Sequence, residues 1–244
     1  MWQALREQLH PKGLEFVAVG LDTLGADACR SFIEAAAPQQ PSLIDQNHIL
    51  AGLFGVTNIP SSIWINEDGM IVRPAEVAPA PPRENPPSLP QLPPETPARL
   101  ASMMQEAAKI RDDSKVYHHA LLDWVENGAK SKFALSPEEV IKRSRPRDMN
   151  ISRGHAHFEL ATQLEILGQH DAAVTHFRKA HELVPDSWTF RRQAWSLEGD
   201  IDAPFGRFWQ GPSDEDAEQW PYRGDWLSDI KINGAENYND PWIA

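Results

Sequence analysis

Cysteine is almost absent: the 244 residues contain one, Cys29, which excludes an internal disulfide, a CxxC redox pair and a cysteine-rich zinc site. Positive charge is also scarce. Against 35 Asp and Glu stand 23 Lys and Arg, a formal net charge of -12. Such a surface repels phosphate backbones and anionic lipid, so neither a nucleic acid nor a membrane is expected as partner. A basic patch would have to be local, and none stands out. No apolar run approaches the ~18 residues of a membrane span, and the opening MWQALREQLHPKG lacks a basic segment followed by an apolar one, the mark of a secretory signal. The expectation is a cytoplasmic protein.

Proline, by contrast, is abundant, and 10 of the 21 lie between Pro74 and Pro97. Each lacks an N–H and restricts its predecessor to extended geometry, so PAEVAPAPPRENPPSLPQLPPETP cannot continue a helix or a central strand. The stretch reads as an extended polyproline spacer, with a ligand for a proline-recognising domain as the alternative. It divides the chain into residues 1–73, a linker at 74–97, a helical part at 98–199 and a tail at 200–244.

In the first part, Trp2 to His10 predicts the end of an amphipathic helix with Ala4, Leu5 and Leu9 on one side, closed by Pro11 and Gly13. LEFVAVGL at 14–21 predicts a strand covered on both faces of a parallel sheet. Thr23 is placed to cap a helix over 25–37, whose Cys29, Phe32, Ile33 and Ala36 share one stripe. SLID at 42–45 predicts a second strand and HILAGLFG at 48–55 a short helix ending on Gly55. SSIWIN and MIV predict a hairpin turning at Glu67-Asp68-Gly69.

FVAVGLD at 16–22, PSLID at 41–45 and FGVTNIPSSIWINEDGMIV at 54–72 together resemble the thioredoxin-fold proteins of the TlpA and ResA type, with peroxiredoxins as neighbours. The resemblance covers about a quarter of the chain. It implies a truncated α/β thioredoxin-like domain, a cis peptide bond between Ile59 and Pro60, and pairing of the backbone around these two residues with an extended thiol substrate. It also implies thiol-disulfide or peroxide oxidoreductase activity in the complete form, with protein thiols or a peptide as partner and no cofactor. The family's first strand and redox motif precede the segment matched here, so the expectation is that they lie upstream of Met1. A degenerate domain, an excised fragment and a reading frame opened at an internal Met, as after a selenocysteine codon taken for a stop, stay open as causes. No catalytic residue is expected in this chain. Without its neighbour, the strand at 14–21 has an open edge, which favours self-association.

Cys29 lies near a predicted helix start beside Arg30, but its stripe turns it inward, where a thiol behaves as a small hydrophobe. The closest histidine pairs, His118-His119 and His155-x-His157, have spacings that diverge on a helix, so no metal site is expected.

The second part predicts helices at Ala98 to Asp112 and Val116 to Asn127, then a capped one opening at Ser136-Pro137. GHAHFELATQLEILGQHDAAVTHFRKAHELVPDS at 154–187 resembles a tetratricopeptide repeat, with Leu160, Ala161 and Leu164 on its first helix, Gly168 at the turn, and Ala173, Phe177 and Ala180 on its second. The following WTFRRQAWSLEGD is placed as another helix. The tail holds ten carboxylates and eight aromatic residues from Phe205 to Trp242, too many for simple disorder, and is expected to wrap irregularly on the rest. A non-catalytic adaptor that binds protein through the helical part is the alternative function.

Overall fold

Short apolar runs punctuated by glycine and proline build an α/β region, and longer periodic segments build helices behind it. The computed structural model describes residues 2–80, 96–144, 147–199, 206–212 and 217–239. Residues 81–95 of the expected linker and, in the tail, Phe205 and Trp242 lie outside the described residues. The first elements are α1 (Trp2–Leu9), β1 (Ala18–Gly20), α2 (Ala26–Ala36), β2 (Ser42–Ile44), α3 (Ile49–Phe54), β3 (Ser61–Ile65) and β4 (Ile71–Val77). Eight helices follow among the described residues: α4 (Ala98–Ala107), α5 (Ser114–Asn127), α6 (Pro137–Arg143), α7 (Met149–Ile166), α8 (His170–Leu183), α9 (Trp188–Ser196), α10 (Gly206–Gln210) and α11 (Trp226–Asn233). The fold is thus a mixed α/β region joined to a helical one. None of the described helices is long and apolar enough to cross a membrane.

β1 and β2 are parallel, with Val19 opposite Leu43, and α2 crosses between them. β3 and β4 form a separate antiparallel pair. Their turn is closed by Asn66, whose Oδ1 accepts from the Asp68 and Met70 N–H groups at 3.1 and 2.9 Å, with Gly69 at φ +74°. Pro74, expected in the linker, instead sits buried inside β4.

The strand expected over 14–21 spans three residues and is not covered on both faces. Val17 is 55% exposed, and α2 has no fully buried residue, with Phe32 77% exposed. Two strands make too narrow a platform to bury a helix face. Thr23 does not cap α2 either: Gly25 occupies the cap position, and Thr23 is buried beneath it.

A first core gathers Leu5 and Leu9 of α1, Trp64 of β3, and Tyr117 and Leu121 of α5. Trp64 stacks on Trp124 at 4.9 Å, and Tyr117 Oη donates to Ser62 Oγ at 2.9 Å, so α5 belongs to the hairpin's packing. The larger second core is helical. Gly168, at φ +71°, turns α7 into α8, and Ala161, Ala173 and Ala180 are fully buried where the helices meet. Phe158 lies between Phe177 and Phe190, stacked on the latter at 4.2 Å. Leu160, matched to the repeat's first helix, is 44% exposed, and Ala161 and Phe158 take the inward positions. The tail is more regular than expected, with α10 and α11 sending Phe208, Trp226 and Ile230 into this core.

Two outcomes follow from this packing. Alanine at Gly154 would gain ~1 kcal/mol of helix propensity, but its Cβ would collide with Val184 Cγ2, and overpacking costs ~1–3 kcal/mol. Gly154→Ala should therefore lower the urea midpoint of unfolding; an unchanged or higher midpoint would show that Val184 yields. The second edge of β1 carries no strand among the described residues, and Val17 and Val19 beside it are exposed. Light scattering should detect concentration-dependent self-association that Val19→Lys weakens, whereas a monomer at every concentration would mean the edge is silent.

Candidate functional site

The segment Thr57 to Ser61 is pinned from both regions of the molecule. Asn58 is buried; its Nδ2 donates to the Tyr238 carbonyl at 3.0 Å and to Asn239 Oδ1 at 3.3 Å, while its Oδ1 accepts the Ile59 N–H at 2.9 Å. The Thr57 carbonyl accepts the Thr189 N–H of α9 at 3.0 Å. The Ile59–Pro60 bond is cis, as the resemblance implies. Proline has no N–H, its carbonyl accepts from Ala78 at 2.9 Å, and the Ile59 N–H is occupied. Of this pair's backbone groups, only the Ile59 carbonyl has no hydrogen-bond partner among the described residues.

Two cavities flank the segment. One, of about 210 Å³, has Asp22, His48, Ile59, Arg192 and Gln193 in its wall. Gln193 Oε1 accepts the Thr23 N–H at 2.9 Å and lies 3.0 Å from His48 Nε2. Because a carboxamide oxygen only accepts, His48 carries its proton on Nε2. Its Nδ1 is then a buried lone pair without a partner. His48 also holds a left-handed φ of +55°, a costly conformation outside glycine that surrounding contacts must impose. Asp45 supplies some of them by accepting the Ile49 and Ala51 N–H groups at 2.8 and 3.0 Å. Burial holds His48 below the ordinary imidazole range and pushes the Asp22 carboxyl upward.

The other cavity is a groove of about 730 Å³ between the 54–58 segment, β4 and the α6–α7 junction. Lys142, Arg143, Arg147 and His155 line it. A local basic run does exist, KRSRPR at 142–147, which the whole-chain charge balance hid. Arg145 lies outside the described residues. Arg143 pairs with Glu139 at 2.9 Å and Glu76 at 3.5 Å, and Lys142 with Glu139 at 3.5 Å. Arg147 has no ion-pair partner among the described residues. Burial, with the Arg147 charge beside it, lowers His155 to about 4.

Cys29 lines neither cavity. Its Sγ packs against Gly20, and burial together with the Asp22 carboxylate pushes the thiol pKa up, the opposite of what a nucleophile requires. Among the described residues, no group of three or more His, Cys, Asp or Glu side chains is arranged to hold a metal. His157 instead meets His176, Nδ1 to Nδ1, at 2.8 Å. No family model matches the chain, and neither a curated protein nor a solved structure is significantly similar to it.

The site histidines set a pH dependence. His48 and His155 are held neutral in the fold, and an unfolded imidazole titrates near 6.5. Below that value the unfolded chain binds more protons than the native one, so stability present above pH 6.5 is lost as pH falls toward about 4, where His155 titrates in the fold. The free energy of unfolding from urea titrations should fall between pH 7 and pH 5, by at most ~1.4 kcal/mol per pH unit for each histidine. His48→Gln should flatten the slope; an unaltered slope would assign it to other groups.

Proposed function

We propose that the α/β region is a thioredoxin-like layer of the TlpA and ResA type, part of a thiol-disulfide or peroxide oxidoreductase whose redox pair this chain lacks. On this proposal Ile59 and Pro60 receive an extended protein thiol substrate, which lies along the adjoining groove. The observation that carries the reading is the placement of these two residues at the start of β3, between two cavities, with the Ile59 carbonyl free to accept a hydrogen bond. Further support comes from the element order, a parallel β1–α2–β2 unit followed by an antiparallel pair. The separation of the two sheets fits as well, since a thioredoxin-type sheet has its first strand beside the strand that β1 matches.

A second reading, a non-catalytic adaptor, is favoured by the groove's cations. Arg147, with Lys142 and Arg143 nearby, suits an acidic peptide.

Activity of the chain tests the absence of a redox centre, and gene context separates the two readings. The purified chain should neither reduce insulin disulfides nor consume peroxide above background, and Cys29→Ser should change nothing. Turnover that disappears in that variant would place the chemistry at Cys29 and overturn the proposal. In the gene, an in-frame strand followed by CxxC or its selenocysteine counterpart upstream of Met1 supports the oxidoreductase, provided the extended chain then reduces insulin. An unrelated upstream sequence leaves the adaptor.

A further inference from the structure

We propose that the smaller cavity, between the end of β1 and α9, binds a small molecule through one oxyanionic group, a carboxylate or a phosphate, held by Arg192. The inference needs no thiol chemistry and stands apart from the redox reading.

Its starting point is a cation without an anionic partner among the described residues. The Arg192 guanidinium centre lies 4.0 Å from the Phe208 ring and 5.6 Å from that of Trp209. Its Nη2 donates to Tyr238 Oη at 2.9 Å, and its Nε is buried with no partner among the described residues. No carboxylate pairs with it among the described residues. The neighbouring Arg191 shows the usual arrangement, with Asp229 at 2.8 Å and the Ser187 carbonyl at 3.2 Å. Aromatic faces offset only part of what a cation loses on leaving water. Burial accordingly works against the charge of Arg192. An anion in the cavity would supply the missing partner.

The cavity itself suits such a ligand. Its volume of about 210 Å³ far exceeds the ~10–15 Å³ that one water needs. Thr189, Gln193 and Ser196 lie along α9 with Arg192 and bring neutral hydrogen-bonding groups to the same wall. Among the described residues Asp22 is the only acid in the lining; it makes no ion pair with Arg192 there and accepts the Leu24 N–H at 2.9 Å. The planar fork of a guanidinium matches a pair of carboxylate or phosphate oxygens better than any other side chain does.

Thermal unfolding of the full chain tests the proposal, with sodium phosphate and sodium acetate each titrated against sodium chloride at matched ionic strength. At least one of the two anions should raise the Tm saturably above the chloride control. A response to phosphate alone assigns a phosphate group, and a response to acetate a carboxylate. Arg192→Gln should abolish the rise and Arg192→Lys should retain part of it. Should Arg192→Gln fail to fold, Ser196→Leu, which fills the cavity and keeps the cation, should abolish the rise instead. No stabilisation beyond chloride, or a full response in Arg192→Gln or Ser196→Leu, would overturn the assignment.

Discussion

One carboxamide oxygen joins the β1–α2–β2 layer to the helices behind it. Gln193 Oε1, projecting from a helix of the second region, accepts the buried Thr23 N–H and binds His48 in the first. Neither β1 nor α2 has enough covered apolar surface to hold itself in place, so the α/β region borrows order from the helices behind it. The Thr189–Thr57 and Asn58–Tyr238 hydrogen bonds extend the same seam. Loss of such an acceptor leaves buried donors unpaired, which costs more than a made hydrogen bond contributes. The segment carrying Ile59 and Pro60 lies on this seam, so its geometry is set as much by the helical region as by its own strand.

Two buried arginines and one partly buried one show how the molecule treats internal charge. Arg73, beneath Trp64, is compensated by Glu76 at 2.9 Å and by the Phe133 carbonyl at 3.0 Å. Arg191 is compensated by Asp229. Arg192 contacts two rings and a phenol and has no carboxylate partner among the described residues. Helix α9 therefore carries adjacent arginines of opposite character, one that ties down α11 and one that faces open volume.

Features set by neighbouring residues could be read from the sequence. The β3–β4 turn follows from Asn66 and Gly69, the α6 cap from Ser136-Pro137, and the α7–α8 hairpin from its small residues and Gly168. The burial of 14–21 could not be read, because a strand's covering depends on how many partners the sheet has. Phe32 and Leu160 illustrate the same limit: periodicity groups residues on a face without saying what lies opposite. At the site, a motif pointed to Ile59 and Pro60. Gln193 and His48 are 145 residues apart, and Arg192, Phe208 and Trp209 carry no local pattern, so their meeting was not legible. The run at 142–147 was visible in principle and was lost in a whole-chain charge balance.

The Asn58–Tyr238 bond has a consequence for how the chain is made. Its partners are 180 residues apart, so on a ribosome Asn58 emerges long before the carbonyl that will secure it exists. Distant contacts of this kind form late, since the loop they close carries a large entropic cost. The peptide at Ile59 and Pro60 is thus translated early and clamped last. A nascent chain would hold α7 and α8 already packed while the segment between its two cavities still awaited its final anchor.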